Sequence, residues 1–429
     1  MSQLDPKNSV SMIGTVLVWL VAIGAIAGIL LRPRQWPEAV WACLGALVLV
    51  LFGLLPAPAA LAAVGKGTDV YLFLTGMMLL AELARLEGVF DWLAALALRA
   101  SRGSRARLFT LIYVVGIAVT VFLSNDATAV VLTPAVYAAV KRARTDTRAY
   151  LYSCAFIANA ASFVLPISNP ANLVVYGKDL PPLGAWLRVF LAPSLVSIAA
   201  TYLVLRWISR SQIRGSLETP VTTTPALSLP GKLAAWGIIT AGGVLMTVSA
   251  YGAALGLPTC AAALLVVLAA TRLRASHLRR IGAGVSWSVL PLVAGLFVLV
   301  EALDRAGALA IFSSALTACA AMPRAAGELA VSFGVAALAN IMNNLPIGLL
   351  AGSALMAAHI TGPIRDSVLI GVDVGPNLSV TGSLATILWL IALRREGIHV
   401  SVWRFLRVGA IVMPPALLLA TLAVGLMER

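Results

Sequence analysis

Long apolar runs, separated by short polar or basic segments, occupy most of the chain. Most of them are about 20 residues long, the length that an α-helix needs to cross a bilayer. Two further segments, 106–140 and 325–358, are too long for one helix and have a polar break near the middle. We expect both to form re-entrant helical hairpins whose tips end inside the membrane. The pattern therefore predicts an all-α polytopic membrane protein with two hairpins and ten spans, at 13–31, 38–55, 69–87, 150–178, 184–206, 233–250, 254–271, 286–304, 366–393 and 405–426.

Polar breaks interrupt the apolar sequence twice in each half of the chain. The first half has Ser124–Asp126 and Ser168–Asn172, and the second half has Asn343–Pro346 and Asp373–Asn377. Irregular polar backbone at membrane depth is costly unless it lines a site or a cavity. Matching breaks in two halves of a chain are typical of secondary transporters.

The two halves can be superimposed in sequence. Leu74–Gly88 matches Val293–Gly307 at an offset of 219 residues, and the same offset superimposes the two hairpin tips. After a shorter loop we take the offset as 205, which places Asn172 on Asn377 and Ser168 on Asp373.

The number of crossings sets the relative orientation of the halves. Five spans and one hairpin make an odd number of crossings, so the second half is predicted to be inverted relative to the first. We expect a first transmembrane repeat at 1–210, a cytoplasmic linker at 211–231 and a second, inverted repeat at 232–429. The linker is rich in Ser, Thr and Pro, as flexible connections are.

Composition supports the membrane assignment. The chain is 60% hydrophobic and 11% charged, which no ordinary soluble domain matches. No cleavable signal peptide is expected, because the apolar run at 13–31 is long enough to span and no A-x-A site follows it. The net charge of +14 comes from basic residues between the spans rather than from a stripe with interleaved aromatic residues. It therefore indicates a positive-inside topology with both termini outside, and no nucleic-acid partner.

Metal and cofactor sites are not expected. The four cysteines are scattered over apolar segments without a CxxC motif, and the three histidines are isolated from one another. We expect the cysteines to serve in helix packing.

Asparagine, serine and threonine side chains at the breaks are the candidate binding groups. A carboxamide offers one acceptor and two donors, and proline frees backbone carbonyl groups, so such breaks can hold a polar solute or a partly dehydrated ion. The alternative is that these residues only cap the broken helices. The candidate substrate-binding residues are Ser124, Asn125, Ser168, Asn172, Asn343, Asn344, Asn377, Ser379 and Thr381.

Two carboxyl groups at the breaks are candidates for proton coupling. Asp126 lies at the first hairpin tip and Asp373 in the second broken span. A carboxyl group in a medium of low dielectric constant takes up a proton more readily than in water, so each could carry a proton. The alternative is that they are ionised helix caps. Glu82 and Glu301, an equivalent pair near span ends, are expected instead to pair with nearby arginines, Arg85 and Arg305.

At these residues the chain resembles the arsenite efflux permease family of the ion transporter superfamily. The resemblance covers nearly the whole chain and is carried by four segments, Phe122–Pro134, Leu165–Leu173, Met342–Pro346 and Gly371–Leu378. It departs from the sodium-coupled dicarboxylate carriers of the superfamily, which have Ser-Asn-Thr at equivalent tips, where this chain has Ser-Asn-Asp and Asn-Asn.

The resemblance implies a multi-pass protein of the inner (cytoplasmic) membrane that works by alternating access. It implies export of trivalent arsenic (arsenite) and antimony (antimonite) in exchange for protons. It also implies association of some members with a separate, soluble arsenite-stimulated ATPase. The lipid bilayer is then its other partner.

Three other functions are weighed against this one. A sodium- or proton-coupled carrier of an organic or inorganic anion would need basic residues at the site, and the breaks contain none. An integral membrane enzyme would need a nucleophile–base pair or metal ligands at membrane depth. A passive channel is disfavoured by the paired breaks, which suit alternating access.

Overall fold

The computed structural model describes residues 12–217 and 226–427, and this part of the chain is almost entirely helical. Among the described residues the only β pairing is an isolated bridge between Ser104 and Ser216. Helices long and apolar enough to cross a membrane are Met12–Leu31, Arg105–Phe122, Leu183–Ile208, Leu229–Ala250, Arg324–Met342 and Val402–Met427. Ala275–Gly284 and Val289–Arg305 form a pair bent by 42° that qualifies together. The predicted all-α, multi-pass architecture is confirmed.

The first half contains eleven helices in the described chain. Five precede the first hairpin: α1 (Met12–Leu31), α2 (Glu38–Leu51), α3 (Ala57–Lys66), α4 (Thr68–Leu86) and α5 (Val89–Ala100). The hairpin consists of α6 (Arg105–Phe122), α7 (Asn125–Ala127), a π-helical turn (Thr128–Leu132) and α8 (Thr133–Arg142). The broken span follows as α9 (Arg148–Ala160), a 3-10 turn (Pro166–Ser168) and α10 (Pro170–Tyr176), and then comes α11 (Leu183–Ile208).

The second half repeats this order. It begins with α12 (Leu229–Ala250), α13 (Gly256–Thr271), α14 (Ala275–Gly284), α15 (Val289–Arg305) and α16 (Ala308–Ala320). The second hairpin is α17 (Arg324–Met342) and α18 (Asn344–Ala357). The second broken span is α19 (Pro363–Val374), a 3-10 turn (Gly375–Leu378) and α20 (Leu384–Arg395), followed by α21 (Val402–Met427). The predicted division into two repeats and a linker stays a prediction, and residues 218–225 of the linker lie outside the described residues.

Packing between the halves is reciprocal. Helix α2 packs on α15, its counterpart α13 packs on α4, and α11 crosses α21. Both of the first two crossings depend on a glycine. A Cβ on Gly76 would lie 2.6 Å from the carbonyl oxygen of Thr259, and one on the equivalent Gly295 would lie 2.8 Å from the carbonyl carbon of Ala42. Small residues allow helix backbones to approach this closely in membranes, and here they interlock the halves.

Four helices were not expected from the sequence. Helices α3, α5, α14 and α16 lie between the predicted spans and have only 10 to 13 residues. A search for apolar segments of spanning length passes over helices this short. Helices α5 and α16 are equivalent, since each follows a glycine with positive φ, at Gly88 and Gly307.

The sequence offset of 205 at the broken spans is wrong. Asn169 and Ser383 cap the N-termini of the equivalent helices α10 and α20, and they are 214 residues apart. The same spacing relates Asn159 and Asp373, each the second-last residue of its helix. Asp373 is therefore the counterpart of Asn159 and not of Ser168. The overlay failed because asparagines recur within a few residues, which allows more than one register.

Candidate functional site

The two hairpin tips, Ser124–Asp126 and Asn343–Leu345, have matching geometry. Ser124 and Asn343 both have positive φ, at 155° and 77°. Each caps the helix that follows it, since Ser124 Oγ accepts from the Ala127 N–H at 3.3 Å and Asn343 Oδ1 from the Leu345 N–H at 3.4 Å. The backbone N–H groups at both tips are largely bonded within the protein, since the Asp126 N–H donates to Asn125 Oδ1 and the Asn344 N–H donates to the Gly382 carbonyl, each at 2.9 Å. The predicted pairing of the tips at an offset of 219 is confirmed.

A small cavity, the tip cavity, separates the two tips. Asn125 and Asn344, each 2% exposed, line it together with Asp126 and Asn169. Its volume of about 10 Å³ is close to the minimum needed for one water molecule. Asn344 Oδ1 is buried and has no hydrogen-bond partner among the described residues, so it is available to a bound solute.

A larger cavity, the side cavity, adjoins the tip cavity. Asp126 and Pro170 line both of them. The volume open to the centre of a water molecule is about 70 Å³, and the walls include Met77, Glu82 and Ser286. Ser286 follows α14, which carries basic residues, so this cavity extends from the tips towards the arginine-rich side of the molecule. Neither cavity has a lysine, arginine, histidine or cysteine among its described lining residues.

Side chains from the two broken spans meet behind the tips. Asn169 Nδ2 donates to Asp373 Oδ1 at 2.5 Å, which joins the first half to the second. Asp373 is fully buried, and its Oδ2 has no hydrogen-bond partner among the described residues. Because Asn169 lines the tip cavity, one hydrogen bond separates Asp373 from the space between the tips.

A second contact between the broken spans involves Asn159. Its Nδ2 donates to Asn377 Oδ1 at 3.1 Å and to Thr386 Oγ1 at 3.3 Å. Asn377 in turn donates to the carbonyl oxygen of Phe156 at 3.1 Å. These bonds hold the second break against the first broken span.

Several predicted binding residues instead stabilise the breaks themselves. Ser168 Oγ donates to the Val121 carbonyl, and Asn172 Nδ2 donates to the carbonyls of Ser162, Leu165 and Pro166. Ser379 donates to Asn340 Oδ1 at 2.6 Å, and Thr381 donates to the Asn340 carbonyl at 3.0 Å. Of the predicted binding and proton-coupling residues, those that line a cavity are Ser124, Asn125, Asp126 and Asn344.

Four residues around the site were missed as binding or positioning groups. Asn169 belongs to a recognised break but was not selected, and Asn159 and Asn340 lie in apolar helices, where an asparagine is itself a signal. Glu82 was expected only to pair with Arg85. That pair is present, with Arg85 Nε 2.7 Å from Glu82 Oε2, but Glu82 also lines the side cavity.

At the equivalent place in the second half, side chains of the two halves are in contact. Phe297, the counterpart of Met78, packs edge-on against Tyr71, with ring centroids 6.2 Å apart. Lys66 Nζ lies 2.7 Å from Glu301 Oε2, and Arg305 holds the other oxygen of the same carboxylate at 3.1 Å. A cavity therefore lies beside Glu82, whereas the equivalent Glu301 takes part in side-chain contacts between the halves.

Comparisons with known proteins agree with this architecture. A family model described as citrate transporter (CitMHS) matches residues 15–372. The arsenical pump membrane protein of Escherichia coli K12 is 29% identical over 357 residues, covering 79% of this chain and 82% of the relative. That of Yersinia enterocolitica is 30% identical over 356 residues with the same coverage. An uncharacterised transporter of Mycobacterium tuberculosis is 25% identical over 378 residues, covering 83% of this chain and 86% of the relative.

A solved structure shares the fold. The crystal structure of the Alcanivorax borkumensis YdaH transporter, described as having an unusual topology, superimposes with a TM-score of 0.59 at 13% identity. The match covers 90% of this chain and 97% of that one.

Proposed function

The chain belongs to the family matched by the citrate transporter (CitMHS) model, as a relative of the arsenical pump membrane proteins, and on that basis we propose that it exports arsenite and antimonite from the cytoplasm in exchange for protons. The membership makes it a multi-pass membrane transporter. Its cargo, its coupling ion and its mechanism are the proposal.

The lining of the two cavities is the observation that carries the choice of cargo. Amide and carboxyl groups line the tip cavity, Ser124 and Ser286 add hydroxyl groups in the side cavity, and no basic side chain is among the described lining residues of either. Arsenite near neutral pH is mostly an uncharged trihydroxide, whose hydroxyl groups can donate to such oxygens and accept from the asparagine amides. The described lining also contains no thiol, and the weaker oxygen ligands would let the cargo leave on the far side.

In this proposal, two carboxyl groups couple transport to protons. Asp126 is half-buried and lines both cavities, so proton and cargo would compete for one space. Asp373 is reached through Asn169, and its unbonded Oδ2 offers a place for a proton within the joined halves. Exchange follows if the cargo binds when these groups have released their protons.

The difference between the two halves supports alternating access. Inverted repeats can exchange conformations, which moves the open side of the site from one face of the membrane to the other. The side cavity would then be the inward route, and the contacts of Tyr71, Phe297, Lys66 and Glu301 would be a closed outer gate. The basic inward face is where a soluble arsenite-stimulated ATPase would associate.

A sodium- or proton-coupled anion carrier is the second candidate function. The description of the matching family, citrate transporter, favours it. A citrate-like substrate would require basic or cationic partners for several carboxylates, and the described lining carries Glu82 and Asp126 instead.

Uptake into everted membrane vesicles tests the proposal. We expect arsenite to accumulate only while a proton gradient, acid inside, is maintained, and a protonophore should abolish it. Antimonite should compete with arsenite for uptake. Sodium-driven uptake of citrate without arsenite uptake would overturn the proposal in favour of the anion carrier.

A further inference from the structure

A basic pocket lies at the arginine-rich end of α11, away from the transport site. Its walls include Arg206, Trp207, Arg210 and Arg214 from α11 and the turn that follows, and Ser104 from the start of α6. The volume open to the centre of a water molecule is about 550 Å³, large enough for a headgroup-sized ligand.

The pocket has an ordered backbone frame. Ser104 and Ser216 form an antiparallel bridge, the Leu217 N–H donates to the Gly103 carbonyl at 2.7 Å, and the Arg105 N–H donates to the Gly215 carbonyl at 3.3 Å. The segment after α11 is thus fastened to the start of the first hairpin. The backbone of this segment, which carries Arg210 and Arg214, is therefore fixed relative to α6.

These arginines lack acidic partners in the described part of the chain. None of Arg206, Arg210 and Arg214 forms an ion pair there. Arg210 stacks on the ring of Trp207 at 5.4 Å, which orients its guanidinium group and leaves its N–H donors available. Guanidinium groups arranged in this way bind phosphate oxygens through paired, charge-assisted hydrogen bonds.

Apolar side chains beside the arginines indicate where the ligand comes from. Leu203 is 62% exposed and Trp207 is 58% exposed, and both lie on the last turns of a membrane-spanning helix. Tryptophan at such a position lies at the level of the lipid headgroups. Basic pockets at the cytoplasmic boundary of membrane helices bind anionic headgroups, and the arginine-rich side is the predicted cytoplasmic side. We propose that this pocket binds the phosphate headgroup of an anionic phospholipid, with an acyl chain along Leu203 and Trp207.

The bound lipid would brace the first hairpin. Arg206 donates to Tyr202 Oη at 3.0 Å and to Thr110 Oγ1 of α6 at 3.3 Å, and Tyr113 of α6 donates to the Ile198 carbonyl of α11 at 2.8 Å. Helix α6 leads directly to the tip at Ser124. A lipid bound at α11 would therefore be connected, through Arg206, to the helix that positions the first hairpin tip.

Fluorescence quenching by brominated lipids tests the site in the purified, full-length protein. Subtracting the signal of W207F isolates Trp207, which should be quenched by brominated phosphatidylglycerol more strongly than by brominated phosphatidylcholine. In R210A/R214A the apparent affinity for phosphatidylglycerol should fall by roughly fivefold for each arginine removed. The control R279A/R280A removes two exposed arginines of α14 and should leave the affinity unchanged.

Three results would overturn the proposal. They are equal quenching by the two lipids, equal affinity for phosphatidylglycerol in R210A/R214A and the control, and displacement of the lipid by inorganic phosphate at equal concentration.

If R210A/R214A does not give monodisperse protein, R210K/R214K replaces it. Because lysine keeps the charge but loses the paired hydrogen bonds, this variant should still prefer phosphatidylglycerol, with reduced affinity. Loss of the preference without loss of affinity would count against the site.

Discussion

Lys66 of α3 and Glu301 of α15 form an ion pair between the two halves, with Nζ and Oε2 2.7 Å apart. At the equivalent place in the first half, Glu82 binds Arg85 of its own helix. The position equivalent to Lys66 is Val285, which lines the side cavity and has no charge to offer. Of these two equivalent places, which we propose to be gates, one is therefore held across the halves by an ion pair and the other is not.

Replacing Lys66 should loosen the proposed outer gate. Lys66 is largely exposed, so the pair contributes only about 0.2–1 kcal/mol, and K66A should open the gate more often by a factor of roughly 1.4 to 5. The measurement is the labelling rate of V300C, beside Glu301, by an impermeant maleimide added from outside to a variant without other cysteines.

Lys178 provides the control for this measurement. It is exposed and predicted to lie on the same side, and it takes part in no ion pair with the described residues, so K178A should not change the labelling rate. Equal rates in K66A and wild type would show that the ion pair does not hold the gate.

Removing either candidate proton carrier should abolish coupled export. D126N and D373N keep the size of the side chain but cannot exchange a proton near neutral pH, so gradient-driven arsenite uptake should fall to the level of vesicles without the protein. The readout is uptake normalised to inserted protein. D91N, an exposed aspartate on α5, serves as the control. Wild-type uptake in both variants would remove the assigned roles.

Asn169 should act through Asp373. N169A removes the donor to Asp373 Oδ1, which leaves a buried acceptor unsatisfied at a cost of about 1–3 kcal/mol. We expect slow uptake in N169A, with a dependence on pH that differs from wild type, because the carboxyl group of Asp373 remains but has lost its donor. The rate of uptake as a function of pH measures this. Slow uptake with the wild-type pH dependence would contradict a role of Asn169 that acts through Asp373.

The equivalent glycines at the helix crossings should not tolerate alanine. G76A and G295A would each press a methyl group into the backbone of the facing helix, lowering the free energy of unfolding by about 1–3 kcal/mol. The thermal midpoint in detergent measures this. G243A is the matched control, since no atom lies within 4 Å of a Cβ at that position of α12. A midpoint lowered equally by all three substitutions would make the effect one of glycine replacement in general.

The hairpin tips could be predicted from sequence because one offset carries through from α4 to Ser124. The helices between these points have nearly equal lengths in the two halves, so the same offset relates every equivalent pair. These pairs are Gly76 and Gly295, Glu82 and Glu301, and Gly88 and Gly307. Polar residues in apolar surroundings then identified the breaks without knowledge of the fold.

The orientation of side chains at the broken spans could not be predicted in the same way. Asn169 faces the tip cavity, whereas Asn172, three residues later, turns back to the carbonyls of its own break. A 3-10 turn and one proline decide which of the two faces the cavity, and neither has a periodicity that sequence alone reveals. The orientation of Ser379 and Thr381 could not be predicted either, because both donate hydrogen bonds to Asn340, a residue of a different helix.

The imperfect symmetry of the two gates has an energetic meaning. If the halves were identical in sequence, the inward-facing and outward-facing forms would be related by a twofold rotation that exchanges the halves, and they would be equally populated. This equality is removed by two differences, Phe297 in place of Met78 and Lys66 in place of Val285. Both differences add contacts at the proposed outer gate. An exporter with this bias would be mostly inward-facing when no substrate is bound. It would also return to the inward-facing form spontaneously at the end of each transport cycle.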